Sequence, residues 1–190
     1  MSLPVKLFHY SEYPLEKLDK EFHNGRNGCF YFRSKPVGFW ISVEDYEDDQ
    51  TWKTWCEAEE FGLERLAYRY LVTLSNEAKI LHLKTSKDIL DFGLEYQGNE
   101  QGSFTNFMKE HGRDPYPYVY EIRWEEVIKK WDGIIIAPYD WSLRLNSETM
   151  WYYSWDCASG CIWNIEAIKS LSLDSKTTES QSPQVESETD

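Results

Sequence analysis

Cysteine and histidine are the residue types best suited to bind a metal or attack a substrate, and the chain has four of each. Cys157 and Cys161 are close in sequence, whereas Cys29 and Cys56 each stand alone. A four-ligand zinc site needs a second pair of ligands, and the histidines, at positions 9, 23, 82 and 111, are scattered. We therefore expect no metal site and free, mostly buried thiols in a reducing compartment.

Short motifs of several common enzyme classes are missing from the sequence. It has no Gly-x-x-x-x-Gly-Lys-Ser/Thr phosphate loop, no Gly-x-Gly-x-x-Gly, no Gly-x-Ser-x-Gly and no His-Glu-x-x-His. Phosphate-loop nucleotide hydrolysis, serine hydrolysis and zinc proteolysis therefore lose their main support. The aromatic content is high, however, at 16%. Large rings fill cores in most proteins, but some of these rings could form the walls of a site for a flat ligand.

Three segments together carry the strongest signal for a function. They are Leu7–Ser11 (LFHYS), Lys35–Ser42 (KPVGFWIS) and Ser159–Ile168 (SGCIWNIEAI). In this order they resemble the ADP-ribosyltransferase superfamily, on the branch of the diphtheria-type toxins and the poly-ADP-ribose polymerases. That branch has a His-Gly/Tyr-Ser/Thr strand, a Gly-x-Gly-Ile/Leu-Tyr-Phe-Ala/Ser strand and a last strand that opens with Glu. The resemblance covers roughly residues 5 to 170.

The resemblance implies that NAD is the substrate and assigns a role to each matching residue. His9 would donate to a ribose hydroxyl of NAD, the backbone of Tyr10 would bind the nicotinamide carboxamide, and Ser11 would stabilise that turn. Trp40 matches the family's stacking Tyr, and an electron-rich indole suits a cationic pyridinium ring. Ser42 follows at the small-residue position. Such a pocket lowers the barrier by fixing the ring while the ribose acquires oxocarbenium character.

The third segment departs from the family at the catalytic glutamate, whose position is taken by Ser159. A serine can hydrogen-bond a ribose hydroxyl but cannot act as a base near neutral pH. Asp156 lies three residues earlier and could supply a carboxylate if the strand is bulged or displaced. Glu148 is a more distant third candidate. The catalytic prediction is therefore Asp156 with Ser159.

Charge and composition restrict the class of partner. The 190 residues include 33 acidic and 20 basic side chains, a net charge of −13. An acidic surface argues against an extended nucleic-acid grip or an anionic membrane, which both need basic patches. Apolar runs are too short to span a bilayer, and no secretory signal is visible at the N-terminus. We expect a cytoplasmic protein that does not associate with membranes.

Periodicity and turn signals predict short strands and helices of unequal length. The strands, helices and further short elements expected along the chain are, in order, strand 7–10, helix 14–22, strand 38–43, helix 51–61, strands 66–74 and 79–83, helix 86–96 capped by Ser86, a long loop over 97–117 with a short helix near 104–110, helix 124–131, strand 133–137, and segments 151–155 and 160–164. Strands interrupted by irregular helices indicate an α+β fold. The resemblance implies a split β-sandwich of two small sheets with flanking helices.

The chain is expected to form one ADP-ribosyltransferase-like domain over residues 1–172. Residues 173–190 are rich in Ser, Thr, Glu, Gln and Pro and have no aromatic residue. Such a composition cannot bury enough apolar area to fold, so we expect a disordered acidic tail.

The expected activity is transfer of ADP-ribose from NAD to an acceptor with release of nicotinamide. The acceptor, which could be a protein, a nucleotide or a small molecule, is not fixed by the sequence. Because Ser159 replaces the glutamate, a catalytically inactive module that binds NAD or ADP-ribose is the alternative. An acidic inhibitor of a host or defence protein is a further one.

Overall fold

The computed structural model of the chain describes residues 6–18, 35–46, 50–98, 109–112 and 121–177. Its strands are β1 (Leu7–Ser11), β2 (Phe39–Val43), β3 (Tyr68–Leu74), β4 (Ile80–Leu83), β5 (Gly133–Ile136), β6 (Ser159–Ile162) and β7 (Ile168–Lys176). They form one mixed sheet in the order β4-β5-β6-β2-β1-β3-β7. Strands β4 and β5 are parallel, and every other neighbouring pair is antiparallel.

The junction between β1 and β2 has the fewest paired positions in the sheet. These strands pair only at Leu7↔Val43 and Phe8↔Ser42, whereas β1–β3 and β2–β6 each pair at four positions. Beyond Phe8 the pairing stops, although both strands continue. The sheet therefore consists of a β4-β5-β6-β2 part and a β1-β3-β7 part that share a short ladder.

Three helices pack around this sheet within the described residues: α1 (Trp52–Ala58), α2 (Ser86–Tyr96) and α3 (Trp124–Val127). Reciprocal side-chain and backbone hydrogen bonds fix the start of the first two. Thr51 with Thr54 forms the capping box of α1, and Thr85 with Asp88 forms that of α2. The cap of α2 is therefore Thr85 instead of Ser86, whose hydroxyl donates to Asp140 Oδ2 at 2.5 Å.

The core lies mainly under the β5–β6 part of the sheet. All four residues of both strands are buried, which explains why β5 (Gly-Ile-Ile-Ile) is a continuous apolar run. A 3₁₀ segment, Ser147–Ser154, brings large rings beneath them. Trp151, Tyr152 and the adjacent Trp155 are fully buried, and Phe92 of α2 packs against Trp151 with ring centroids 5.1 Å apart.

The α+β class predicted from the sequence is confirmed, whereas the two separate sheets are not: the strands form a single seven-stranded mixed sheet. Most strand predictions agree within two residues. Four other predictions differ more. Pro14–Leu18 is neither helix nor strand, helix 51–61 ends at Ala58, and helix 124–131 ends at Val127. Residues 173–176 extend β7 along β3 instead of belonging to the tail. Backbone pairing stabilises a polar edge strand that composition assigned to disorder.

Several predictions lie outside the described residues. They concern the second half of helix 14–22, most of the loop over 97–117 and the tail from residue 178 onward. Within the described residues, no helix is long and apolar enough to cross a membrane.

Candidate functional site

A cavity of about 610 Å³ opens beside the junction of β1 and β2. A volume of this size is in the range of small-molecule sites. Its walls come from β1, β2, the start of β6, the turn before β2 and the α1 region. The lining residues are Phe8, His9, Tyr10, Lys35, Pro36, Val37, Gly38, Trp40, Ile41, Ser42, Trp52, Arg65, Asp156, Cys157 and Ser159.

Six of the seven site residues predicted from the sequence line this cavity. They are His9, Tyr10, Trp40, Ser42, Asp156 and Ser159. The seventh, Ser11, lies at the end of β1 and donates its hydroxyl to the backbone oxygen of Tyr13 at 2.8 Å, so it stabilises the turn and does not line the cavity. Glu148, the distant candidate, is exposed on the segment that packs against α2 and also lies outside the lining.

His9 bridges the two strands where their backbone pairing ends. Its Nδ1 lies 2.7 Å from the carbonyl oxygen of Trp40, and its ring stacks on Phe39 with centroids 4.1 Å apart. His9 and the Trp40 backbone are therefore adjacent, as a common cleft requires. The bond to a carbonyl oxygen implies that Nδ1 carries a proton.

The close approach of the turn before β2 to β6 requires glycine at position 38. A Cβ on Gly38 would lie 2.7 Å from both Cys161 Sγ and the carbonyl oxygen of Ile162, and no real Cβ tolerates such a contact with backbone. The Lys-Pro-Val-Gly segment therefore lies against β6 and forms one wall of the cavity.

Tyr10 is held by a charged network that the sequence analysis did not anticipate. Its hydroxyl donates to Glu44 Oε1 at 2.7 Å, and Arg69 donates to Glu44 Oε2 at 2.6 Å. The Arg69 guanidinium also lies 3.6 Å from the ring centroid of Phe8. Burial, and then the hydrogen bond to the Glu44 carboxylate, raises the pKa of Tyr10 far above its usual range. Tyr10 therefore stays a neutral hydroxyl.

Trp40 is only partly buried and contacts both the core and a residue of the cavity. Its ring is 5.0 Å from that of Trp155, tilted by 58°. The ammonium of Lys35, which lines the cavity, lies 5.3 Å from its centroid. Trp40 thus closes the core and at the same time presents an aromatic face to the cavity.

Asp156 is engaged by two cations. Arg144 Nη2 is 3.1 Å from its Oδ1, and Lys35 Nζ is 3.6 Å from its Oδ2. The Arg144 guanidinium in turn lies about equally far from two exposed rings, 5.3 Å from Trp141 and 5.2 Å from Tyr153. Asp156 is the one carboxylate among the lining residues that the structure describes, which makes it the candidate for acid chemistry within that set.

Ser159 and Ser42 are opposite one another in the β2–β6 ladder, so their side chains share a face. Ser159 donates its hydroxyl to the carbonyl oxygen of Cys157 at 2.9 Å. Ser42 Oγ accepts from the backbone N–H of Trp52 at 3.1 Å, which attaches the start of α1 to the cavity wall. Both serines therefore have structural bonds in the unliganded chain.

Trp52 and Arg65 line the cavity although sequence analysis assigned them no role. Trp52 stacks with Trp55 at a centroid distance of 5.3 Å, and Arg65 lies over Phe61 at 5.4 Å. Spacing alone places Trp52 and Trp55 on one helix face, but only the Ser42–Trp52 bond shows which wall that face adjoins.

The cysteine prediction is confirmed for Cys56, Cys157 and Cys161, which are free and buried, whereas Cys29 lies outside the described residues. Burial raises the pKa of the Cys157 thiol to about 12, although it lines the cavity. Such a thiol is not a nucleophile near neutral pH. Across the described ranges, no three His, Cys, Asp or Glu side chains are grouped closely enough to hold a metal ion.

Comparison with known proteins gives no relative from which a function could be transferred. No family model, no curated protein and no solved structure matches this chain significantly. The functional argument therefore depends on the cavity and on the residues that line it.

Proposed function

We propose that this protein is an NAD-dependent ADP-ribosyltransferase-like enzyme whose active site is the cavity at the β1–β2 junction. One observation carries the proposal. Five residues of the three segments, together with Asp156 just before the third segment, line the same cavity although they lie up to 150 positions apart. Residues that are distant in sequence thus meet, on the neighbouring strands β1, β2 and β6, at one site of suitable size.

The thin β1–β2 junction adds support from the fold. A split β-sandwich separates two sheets where this chain has a ladder of only two pairs. The cavity opens where that pairing ends, and His9 bridges the gap by its bond to the Trp40 carbonyl oxygen. The split-sandwich architecture is therefore proposed here as a variant in which a short ladder still joins the two halves.

The charges that line the cavity differ from the net charge of the whole protein and suit NAD. The chain carries a net charge of −13, yet Lys35 and Arg65 line the cavity against the single carboxylate of Asp156 among the described lining residues. The Arg65 guanidinium can pair with the diphosphate. The aromatic face of Trp40 suits the cationic pyridinium. NAD combines both groups in one molecule.

The proposed reaction is substitution at the anomeric carbon of the nicotinamide ribose. The bond from C1′ to the pyridinium nitrogen breaks, and its electron pair leaves with neutral nicotinamide. A lone pair of the acceptor forms the new bond to C1′, and the acceptor loses one proton. Trp40 fixes the leaving ring, His9 orients the ribose hydroxyls, and the Asp156 carboxylate stabilises the positive charge that develops on the ribose.

The test is nicotinamide release from NAD by the purified chain, with and without added proteins, nucleotides and small molecules as acceptors. Release above the spontaneous rate, lost in a Trp40→Ala variant that is still folded, supports the proposal. A chain that binds NAD but releases no nicotinamide with any acceptor would refute the proposed transferase activity.

A second candidate function is a module that binds NAD or ADP-ribose without turnover. Three contacts favour it: Asp156 is engaged by Arg144 and by Lys35, and Ser159 donates to the Cys157 carbonyl oxygen. In this case NAD and ADP-ribose raise the unfolding temperature, because a ligand that binds only the folded state stabilises it by mass action. Nicotinamide release stays at the spontaneous rate.

A further inference from the structure

Lys35 occupies the place in the cavity where a cationic ligand would be recognised. Its ammonium lies 5.3 Å from the centroid of Trp40 and 3.6 Å from Asp156 Oδ2. An aromatic face combined with a carboxylate is the arrangement by which proteins bind organic cations. The lysine therefore stands in for the charge of such a ligand.

The contacts of Lys35 are weak enough to exchange. Its side chain is 39% exposed, and that of Asp156 is 20% exposed. Partly exposed ion pairs contribute little to stability, because solvent screens the charges and side-chain entropy opposes the contact. If Lys35 moves away, Arg144, at 3.1 Å, still compensates the Asp156 carboxylate. Displacement leaves no buried charge without a partner.

We infer that Trp40 and Asp156 form an organic-cation site. Lys35 occupies this site in the free chain, and a pyridinium ring displaces the lysine. This inference depends on the proposed function for its ligand, the oxidised nicotinamide ring. The site distinguishes charge states: it favours a pyridinium cation over neutral nicotinamide. After the glycosidic bond breaks, the leaving nicotinamide is neutral, and the Lys35 ammonium competes for the Trp40 face and assists its release.

The test compares two ring probes that differ in charge, 1-methylnicotinamide (a permanent cation) and nicotinamide (neutral). Isothermal titration calorimetry measures the affinity of each for the wild type and for Lys35→Met, which keeps the stem length and removes the charge. We expect the wild type to prefer the cation. Lys35→Met should bind 1-methylnicotinamide about three- to tenfold more tightly, with less than about a twofold change for nicotinamide.

Two further variants act as controls for this measurement. Lys129→Met removes an exposed lysine that pairs with Glu126 away from the cavity, and it should leave both affinities unchanged. Asp156→Asn removes the carboxylate and should reduce the preference for the cation over the neutral ring, while the Trp40 face remains. Thermal unfolding of each variant shows that it is folded before it is titrated.

The inference is overturned if Lys35→Met binds 1-methylnicotinamide no better than the wild type, or if neither chain binds the cation. Its failure is separable from that of the proposed function. A chain that binds 1-methylnicotinamide as expected but releases no nicotinamide from NAD keeps the cation site and loses the transferase. A chain that releases nicotinamide with no effect of Lys35→Met keeps the transferase and loses this inference.

Discussion

Trp40 and Trp155 contact each other at 5.0 Å but belong to two regions with different roles. Trp155 belongs to the buried ring cluster with Trp151 and Tyr152, and none of these three side chains is exposed. Trp40 lies one layer further out and faces the cavity. The same residue type therefore fills space in one region and offers a binding face in the other. The two rings differ in burial, since Trp155 is fully buried and Trp40 is only partly buried.

The largest effect is expected in the buried cluster, from Trp155→Ala. Loss of a fully buried indole should lower the free energy of unfolding by about 3–5 kcal/mol, because a cavity remains. Trp40→Ala should cost clearly less, since that ring is only partly buried. Urea unfolding measures the loss of free energy in both variants, provided that the unfolding free energy depends on urea concentration with the same slope in each. Equal losses would place Trp40 in the core and remove the contrast.

A matched variant refines that measurement. Trp155 Nε1 is buried without a hydrogen-bond partner among the described residues, so the indole carries an unsatisfied donor. Trp155→Phe removes the donor and keeps most of the ring. It should therefore cost much less than Trp155→Ala, because an unpaired buried N–H is itself unfavourable.

The next effect concerns the carboxylate of the cavity. Asp156→Asn should lower the rate of nicotinamide release at saturating NAD by about 10²-fold, the usual scale for loss of a positioned charged group in a site. Asp91→Asn is the control, because Asp91 also pairs with a cation, Lys87, but both lie outside the cavity lining. Unchanged release by Asp156→Asn would exclude Asp156 from the mechanism.

Trp40→Ala should weaken NAD binding by at least about fivefold, since a stacked ring contributes roughly 1 kcal/mol beyond area burial. Tyr13→Ala serves as the comparison, because that ring is 69% exposed and does not line the cavity. Calorimetric titration with NAD gives both affinities. If both variants bind NAD as the wild type does, Trp40 has no binding face and is simply a core residue.

Ser159→Ala should have a smaller effect on nicotinamide release, limited to one neutral hydrogen bond of about 0.5–1.5 kcal/mol. The structure gives the reason: the Ser159 hydroxyl already donates to the Cys157 carbonyl oxygen. Steady-state rates of nicotinamide release, measured in parallel for Ser159→Ala and Asp156→Asn, show which substitution causes the larger loss. A larger loss in Ser159→Ala would make the serine, not the aspartate, the functional successor of the family's glutamate.

The smallest effect is expected at Cys157, which lines the cavity but is 2% exposed. With the pKa of its thiol raised to about 12, only about one molecule in 10⁴ is a thiolate at pH 8. Iodoacetamide should leave Cys157 unmodified in the folded chain and react after denaturation, as peptide mass spectrometry would show. Rapid labelling that NAD prevents would instead identify a reactive residue.

Local patterning determined most of the secondary structure. The apolar runs of β2 and β5 give strands within one or two residues of those predicted, and β1 agrees equally well. The helix predicted for residues 86–96 has those bounds, because Ile89, Phe92 and Tyr96 bury one face. Pattern failed where tertiary pairing competes with composition. The polar end of β7 is a strand because β3 offers it a ladder.

The sequence alone also determined the set of residues worth testing, since six of the seven predicted site residues line one cavity. Only the tertiary structure decided what surrounds them. Glu44 and Arg69 hold Tyr10, and Arg144 and Lys35 hold Asp156, in pairs separated by 12 to 121 positions. Short motifs encode strand and residue type through local periodicity. Ion pairs between distant segments depend on how the strands cross, which no local pattern specifies.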